Sequence, residues 1–172
     1  MNANPQILAA LVIPTGCEDI LRVAALPTTG IDTSIVYVLT AADGTKAAGT
    51  LWKRIAGAWV EQTAIPVEYQ HYDGGATTYI TFFVYAETAT MAASGRVKRR
   101  TATGRIDIHT TGDKQPVYDA VRKRLRDNGI KSPGGVPDAS FDIVNDVEWR
   151  HAYVEFRISE DVDEEVASGY GS

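Results

Sequence analysis

The stretch that most limits how this chain can fold runs from Gly104 to Gly129, GRIDIHTTGDKQPVYDAVRKRLRDNG. Ile106 and Ile108 alternate with Arg105, Asp107 and His109, the two-residue period of a strand with one buried face. After the polar TTGD the period changes. Val117, Val121 and Leu125 recur every four residues with Tyr118 beside them, which predicts a helix with one buried stripe. Asp113 is the expected N-cap, Pro116 falls in the first turn where amide hydrogens lack intrahelical partners, and Gly129 supplies a left-handed position after the last turn. Lys114, Arg122, Lys123, Arg124 and Arg126 are expected on the outer face, most of them late in the helix, where the dipole favours cations. A strand that passes so quickly into an amphipathic helix requires a sheet with a helix packed on it.

The remaining segments fill in that plan. Asn4-Pro5 reads as an N-cap followed by a residue already set to helical φ, and the helix it starts must end at or before Ile13 because Pro14 follows. CEDILRVAAL (17–26) fits a second short helix closed by Pro27. From Thr28 the pattern is β: SIVYVLT (34–40), a flexible AADGTKAAG loop (41–49), and TLWKRIAGAWVEQ (50–62). The last is a hairpin around Ala56–Gly57 with Trp52 and Trp59 on facing arms, where aromatic pairing across strands is favourable. IPVEYQHYDGGATTYITFFVYAET (65–88) reads as two strands joined by a tight reversal at Asp73-Gly74-Gly75. Its second strand is apolar enough to be central and covered on both faces. ATMAASGRVKRRTATG (89–104) is a long loop or an exposed β-arm, and SFDIVNDVEW (140–149) with RHAYVEFRIS (150–159) reads as an antiparallel pair.

Composition adds bounds. The chain has 172 residues, 44% of them apolar, which suits one domain with a filled core (residues 1–159). Cys17, the single cysteine, cannot close an intramolecular disulfide, which fits a reducing compartment. The N-terminus lacks the basic start of a signal peptide, and no apolar run approaches the roughly 20 residues that span a bilayer, so no membrane contact is expected. The formal charge of −5 is unevenly placed: five of the 22 acids lie in EDVDEEVASGYGS (160–172), leaving a neutral body with 17 bases against 17 acids. A neutral body does not attract nucleic acid in bulk, and the acidic tail is expected to be disordered.

Motifs for chemistry are missing. There is no phosphate-cradling glycine loop before a lysine, no H-E-x-x-H, no G-x-S-x-G and no C-x-x-C. His71 and Asp73 are candidates for an acid–base pair, the basis for reading the chain as a hydrolase, although Asp before two glycines is turn chemistry. His109 and His151 fall on separate strands, and a metal wants three or more convergent donors. Cys17 has no local activating base and reads as a small buried hydrophobe. The two tryptophans could stack a sugar or base, but a hairpin held by its own aromatic pair is the preferred reading. The basic residues Arg96, Lys98, Arg99, Arg100 and Arg105 form a candidate interface for phosphates or an acidic partner, or else a solvated arm that protects a sheet edge. No catalytic residue, cofactor or metal is assigned.

The order of these pieces, with PVEYQHYDGGATTYITFFVY, ATGRIDIHTTGD, VYDAVRKRL and YVEFRIS, resembles the tail terminator proteins of long-tailed bacteriophages, also called tail-to-head joining or tail completion proteins. The resemblance covers roughly the C-terminal 95 residues and, weakly, the N-terminal helix. It implies an α+β fold, an antiparallel sheet with one or two helices packed on it, like that of tail-tube subunits. It further implies a non-enzymatic, cofactor-free virion protein that assembles as a ring, usually a hexamer, at the head-proximal end of a siphovirus tail after assembly in the host cytoplasm. Its partners would be further copies of itself, the tail-tube protein and the head–tail connector or stopper protein, with possible contact to passing DNA. Residues 28–62 are then an inserted β element and the acidic tail an addition. The competing readings are another head–tail interface or tail-tube ring subunit, and a small nucleic-acid-binding module using residues 96–105.

Overall fold

The computed structural model describes residues 3–165, and they form a mixed α+β fold with two sheets and two helices. The larger sheet has the order β5-β6-β7-β9-β8, built from β5 (Val67–Tyr69), β6 (Thr78–Met91), β7 (Arg96–Thr110), β9 (Val147–Glu165) and β8 (Gly135–Val144). Along β6, β7, β9 and β8 every adjacent pair is antiparallel. One face carries α1 (Asn4–Ala10) and α2 (Gln115–Asp127). The smaller sheet, order β1-β2-β3-β4, is made of β1 (Ile20–Val23), β2 (Val36–Leu39), β3 (Leu51–Ile55) and β4 (Ala58–Gln62). No helix among the described residues is long and apolar enough to cross a membrane.

The core lies between the helices and the large sheet. Ile7 and Leu11 from the α1 segment and Val117, Val121 and Leu125 from α2 pack over Ile80 and Phe82 of β6, Ile106 and Ile108 of β7, and Val154 and Phe156 of β9. Each such buried side chain contributes about 1.5–3 kcal/mol relative to exposure. The alternation predicted for 105–109 is present: Ile106 and Ile108 are fully buried, their neighbours only half so.

Several expectations need correction. Residues 17–26 are not a helix: Cys17 takes a positive φ of 58°, and the following residues enter β1, the edge strand parallel to β2. The β element expected over 28–62, with its strand at 34–40 and its hairpin at 50–62, is part of a four-stranded sheet that begins earlier, at Ile20. α1 starts at Asn4 itself, with Ala3 in the cap position, and Asp113 accepts a hydrogen bond from the Gln115 amide while Lys114 occupies the N-cap position. The DGG segment is not a tight reversal, since β5 and β6 run parallel and residues 70–77 carry the chain back along the sheet. The C-terminal hairpin turns at Asn145–Asp146, both at positive φ, the two-residue loop that matches strand twist. β6 is covered on one face only; on the other, Tyr85 is exposed and Tyr79 and Phe83 are shielded by side chains of the same face.

Arg124 is the largest departure from the helical pattern. Expected on the outer face, it is 2% exposed. Its Nε donates to the Val12 carbonyl at 3.0 Å and Nη2 to the Glu18 carbonyl at 2.6 Å, tying α2 to the segment that leads into the small sheet. Burial pushes its pKa down, opposed by Asp19, whose carboxylate lies 3.8 Å away. An Arg124→Met variant keeps the apolar stem but takes the Arg124 donors from two half-buried carbonyls. It is expected to lose about 3 kcal/mol in urea unfolding, with amide exchange accelerated first around residues 12–20.

Candidate functional site

The basic segment proposed as an interface is a β-arm. β6 and β7 run on beyond the helices to a turn at Ala92–Gly95, and β9 extends beside them to Glu165. Residues 160–165 of the acidic tail are thus ordered as strand, not disordered; residues 166–172 lie outside the described residues. The reason is charge registry. Arg96 Nε meets Asp163 at 2.7 Å and Lys98 Nζ the same carboxylate at 3.1 Å, while Arg99 pairs with Asp161 at 2.8 Å and Arg100 with Glu164 at 2.7 Å. Arg105 pairs with Asp107 at 2.8 Å, its guanidinium lying over Tyr153 and Phe83. Exposed pairs of this kind each add little stability, but together they neutralise the arm. Little free positive charge remains there for phosphates.

The arm's stability should therefore depend on pH. Hydrogen bonds from Arg96 and Lys98 hold the Asp163 carboxyl below its ordinary value of 3.8. A carboxyl with a depressed folded pKa contributes fully above the unfolded value, and the contribution is lost as pH falls through the folded value. The arm should loosen as pH falls below the ordinary carboxyl value of 3.8 and through the lower folded value. Amide resonances of residues 96–101 and 159–164 should lose protection while the 104–110 and 150–156 amides keep theirs.

Trp52 and Trp59 share a face of the small sheet but are not opposite one another. Trp52 is the partner of Glu61, and Trp59 of Arg54. Trp59 meets Tyr37 edge-on at 5.4 Å, with Arg54 over its ring, whereas Trp52 donates to Thr50 Oγ1 and carries Lys46. The tryptophans are committed to packing, and no aromatic pair holds the hairpin.

The open face of the large sheet holds what the sequence did not advertise. Tyr72 stacks on Tyr79, Tyr79 stacks on His109, and Trp149 tilts against Tyr79. These rings line a cleft of about 480 Å³ together with Gly74, Gly75, Asp142 and His151. His109 and His151 are direct cross-strand partners, their Nδ1 atoms 2.9 Å apart; His151 Nε2 is 2.9 Å from Asp142 Oδ2, and His109 Nε2 is 3.2 Å from Thr81 Oγ1. Burial first, and then the neighbouring His151, pushes the His109 pKa down. The signal was the register of GRIDIH against RHAYVEFRI, which aligns the two histidines once β7 and β9 pair. Thr81 is buried and does not line the cleft, so this row of groups ends inside the sheet rather than on a substrate. His71 and Asp73 do meet, at 2.6 Å, but both are largely exposed and on one turn. Cys17 is half-buried, with its pKa raised by burial.

The margins of the sheet are its other open feature. β8 is an edge strand, and the helix-covered face continues onto it beyond the helices, leaving Phe141 65% and Ile143 68% exposed. At the opposite margin β5 covers only Ile80–Phe82 of β6, so among the described residues β6 has no strand partner on that side from Phe83 to Met91. No protein-family model matches this sequence, and no curated protein matches it significantly.

Proposed function

We propose that the chain is a structural subunit of a long-tailed bacteriophage that assembles into a closed ring, caps the tail tube, ends its polymerisation and joins it to the head connector. The observation that carries this reading is that two edges of one sheet run in opposite directions, the free side of β8 and the stretch of β6 beyond Phe82. Because β6, β7, β9 and β8 alternate in direction, the free edge of β8 runs antiparallel to β6. A rotation that preserves strand direction thus brings β8 of one copy against β6 of the next in an ordinary antiparallel ladder. Such a contact is heterologous, one patch meeting a different one, and yields a ring when the rotation closes. The two free edges sit at different levels along the strands, so the junction is staggered and the strands tilt to the ring axis, as closure of any barrel-like sheet requires. Exposed long edges invite uncontrolled pairing in a monomer, and a ring is one way of removing them. The order of the sequence motifs supplies the tail-terminator assignment. The neutralised arm removes the main support for a DNA-binding module.

Tube growth provides the test. Added to polymerising tube protein, the chain should yield short tubes with one end capped, and deletion of its gene should give tails of uncontrolled length or tails that fail to join heads. Normal virions from the deletion would dispose of the assignment.

A further inference from the structure

The cleft on the open face contains a geometry that ring assembly does not use. The near nitrogens of His109 and His151 converge at 2.9 Å, while the far nitrogen of each ring is held, one by the Asp142 carboxylate and one by the Thr81 hydroxyl. Imidazoles whose outer nitrogens are fixed in this way have the arrangement of metal-binding histidines with their orienting partners. We propose that His109 and His151 chelate a borderline divalent transition ion, of the class of Zn²⁺, Ni²⁺ and Cu²⁺, through their Nδ1 atoms, with the remaining coordination positions open to the cleft.

The chemistry is consistent at each step. Imidazole suits these ions. At metal–nitrogen distances of about 2.0–2.1 Å, a tetrahedral angle sets the two nitrogens about 3.3 Å apart, so binding parts them and turns both rings until their lone pairs converge on the ion. The proton count also balances. For two neutral rings with the Asp142 carboxylate accepting from His151 Nε2–H, the tautomers follow: His109 Nδ1–H donates to His151 Nδ1, and Thr81 donates to His109 Nε2. Binding moves the His109 proton from Nδ1 to Nε2, where it donates to Thr81; both rings stay neutral and no proton leaves. No group of three or more His, Cys, Asp or Glu side chains suited to a metal ion occurs among the described residues. Water or another donor entering the cleft completes the shell, so the ion is exchangeable. Since the ligands lie on β7 and β9 and the orienting carboxylate on β8, a bound ion ties three strands together.

The test uses the full chain, with Cu²⁺ followed by electron paramagnetic resonance and Zn²⁺ by imidazole nitrogen NMR. The expected result is one Cu²⁺ per chain coordinated by two imidazole nitrogens, with Zn²⁺ shifting the Nδ1 resonances of both His109 and His151. His71→Gln should leave binding unchanged. Asp142→Asn should weaken it about tenfold or more, and His151→Gln should abolish the two-nitrogen signal. Single-nitrogen coordination, loss of binding in His71→Gln, or Zn²⁺ leaving the two Nδ1 resonances unmoved would overturn the proposal. The NMR experiment on the unsubstituted protein decides it even if a variant fails to fold.

Discussion

A Phe141→Asp, Ile143→Lys double variant is expected to stay folded, and to stay monomeric under conditions in which the proposed ring assembles. Both side chains are more than half exposed on β8, so their replacement should change the stability of the single chain by no more than about 0.5 kcal/mol. In the ring the same side chains would be covered at every junction. Burial of an apolar side chain is worth about 1.5–3 kcal/mol, so losing two weakens each junction more than about a hundredfold. Sedimentation velocity reads the assembly state and thermal unfolding the fold. Rings that persist in the double variant would remove β8 from the junction and leave the arm as the interface to examine.

Phe156→Ala is expected to cost about 3–5 kcal/mol, the usual range for deleting a fully buried aromatic ring. Phe156 is 0% exposed and lies directly opposite Gly104, whose bare α-carbon its ring covers. The same contact makes Gly104 irreplaceable. A β-carbon there would run into the Phe83 carbonyl and the Phe156 ring, and the carbonyl, being backbone, cannot rotate away. Gly104→Val should therefore destabilise by about 3 kcal/mol or more and should not be rescued by Phe156→Ala. This site also sits where β6 shifts register between Val84 and Ala86, at the root of the arm. Equilibrium urea unfolding of both single variants and the double variant measures the cost and the coupling.

The parts of the fold legible in the sequence are those in which one local rule dominates. The 104–129 segment follows its periods because Ile106, Ile108, Val117, Val121 and Leu125 all face the same core. Ala56–Gly57 turns as composition suggests, with both residues at positive φ. Illegible parts depend on long-range partners. Residues 20–23 have helical spacing, but their backbone is claimed by β2, and Arg124 looks like a surface cation until the Val12 and Glu18 carbonyls are placed beside it. The acidic tail reads as solvent-loving until its carboxylates are set against Arg96, Lys98, Arg99 and Arg100 across 62 to 67 residues of chain. His109 and His151 are 42 residues apart and become neighbours only through strand register. The basic run that marks the arm is legible in the sequence, whereas the bare β8 edge is revealed only by knowing which strands lie beside it.

The pair of complementary edges on one sheet carries the whole assembly argument, and the mass of the protein in solution tests it most directly. Light scattering coupled to size exclusion, with negative-stain images of the same fractions taken with and without tube protein, should give closed annuli of a single small copy number. A chain that stays monomeric even when tube ends are present, or that grows into open filaments, would contradict it.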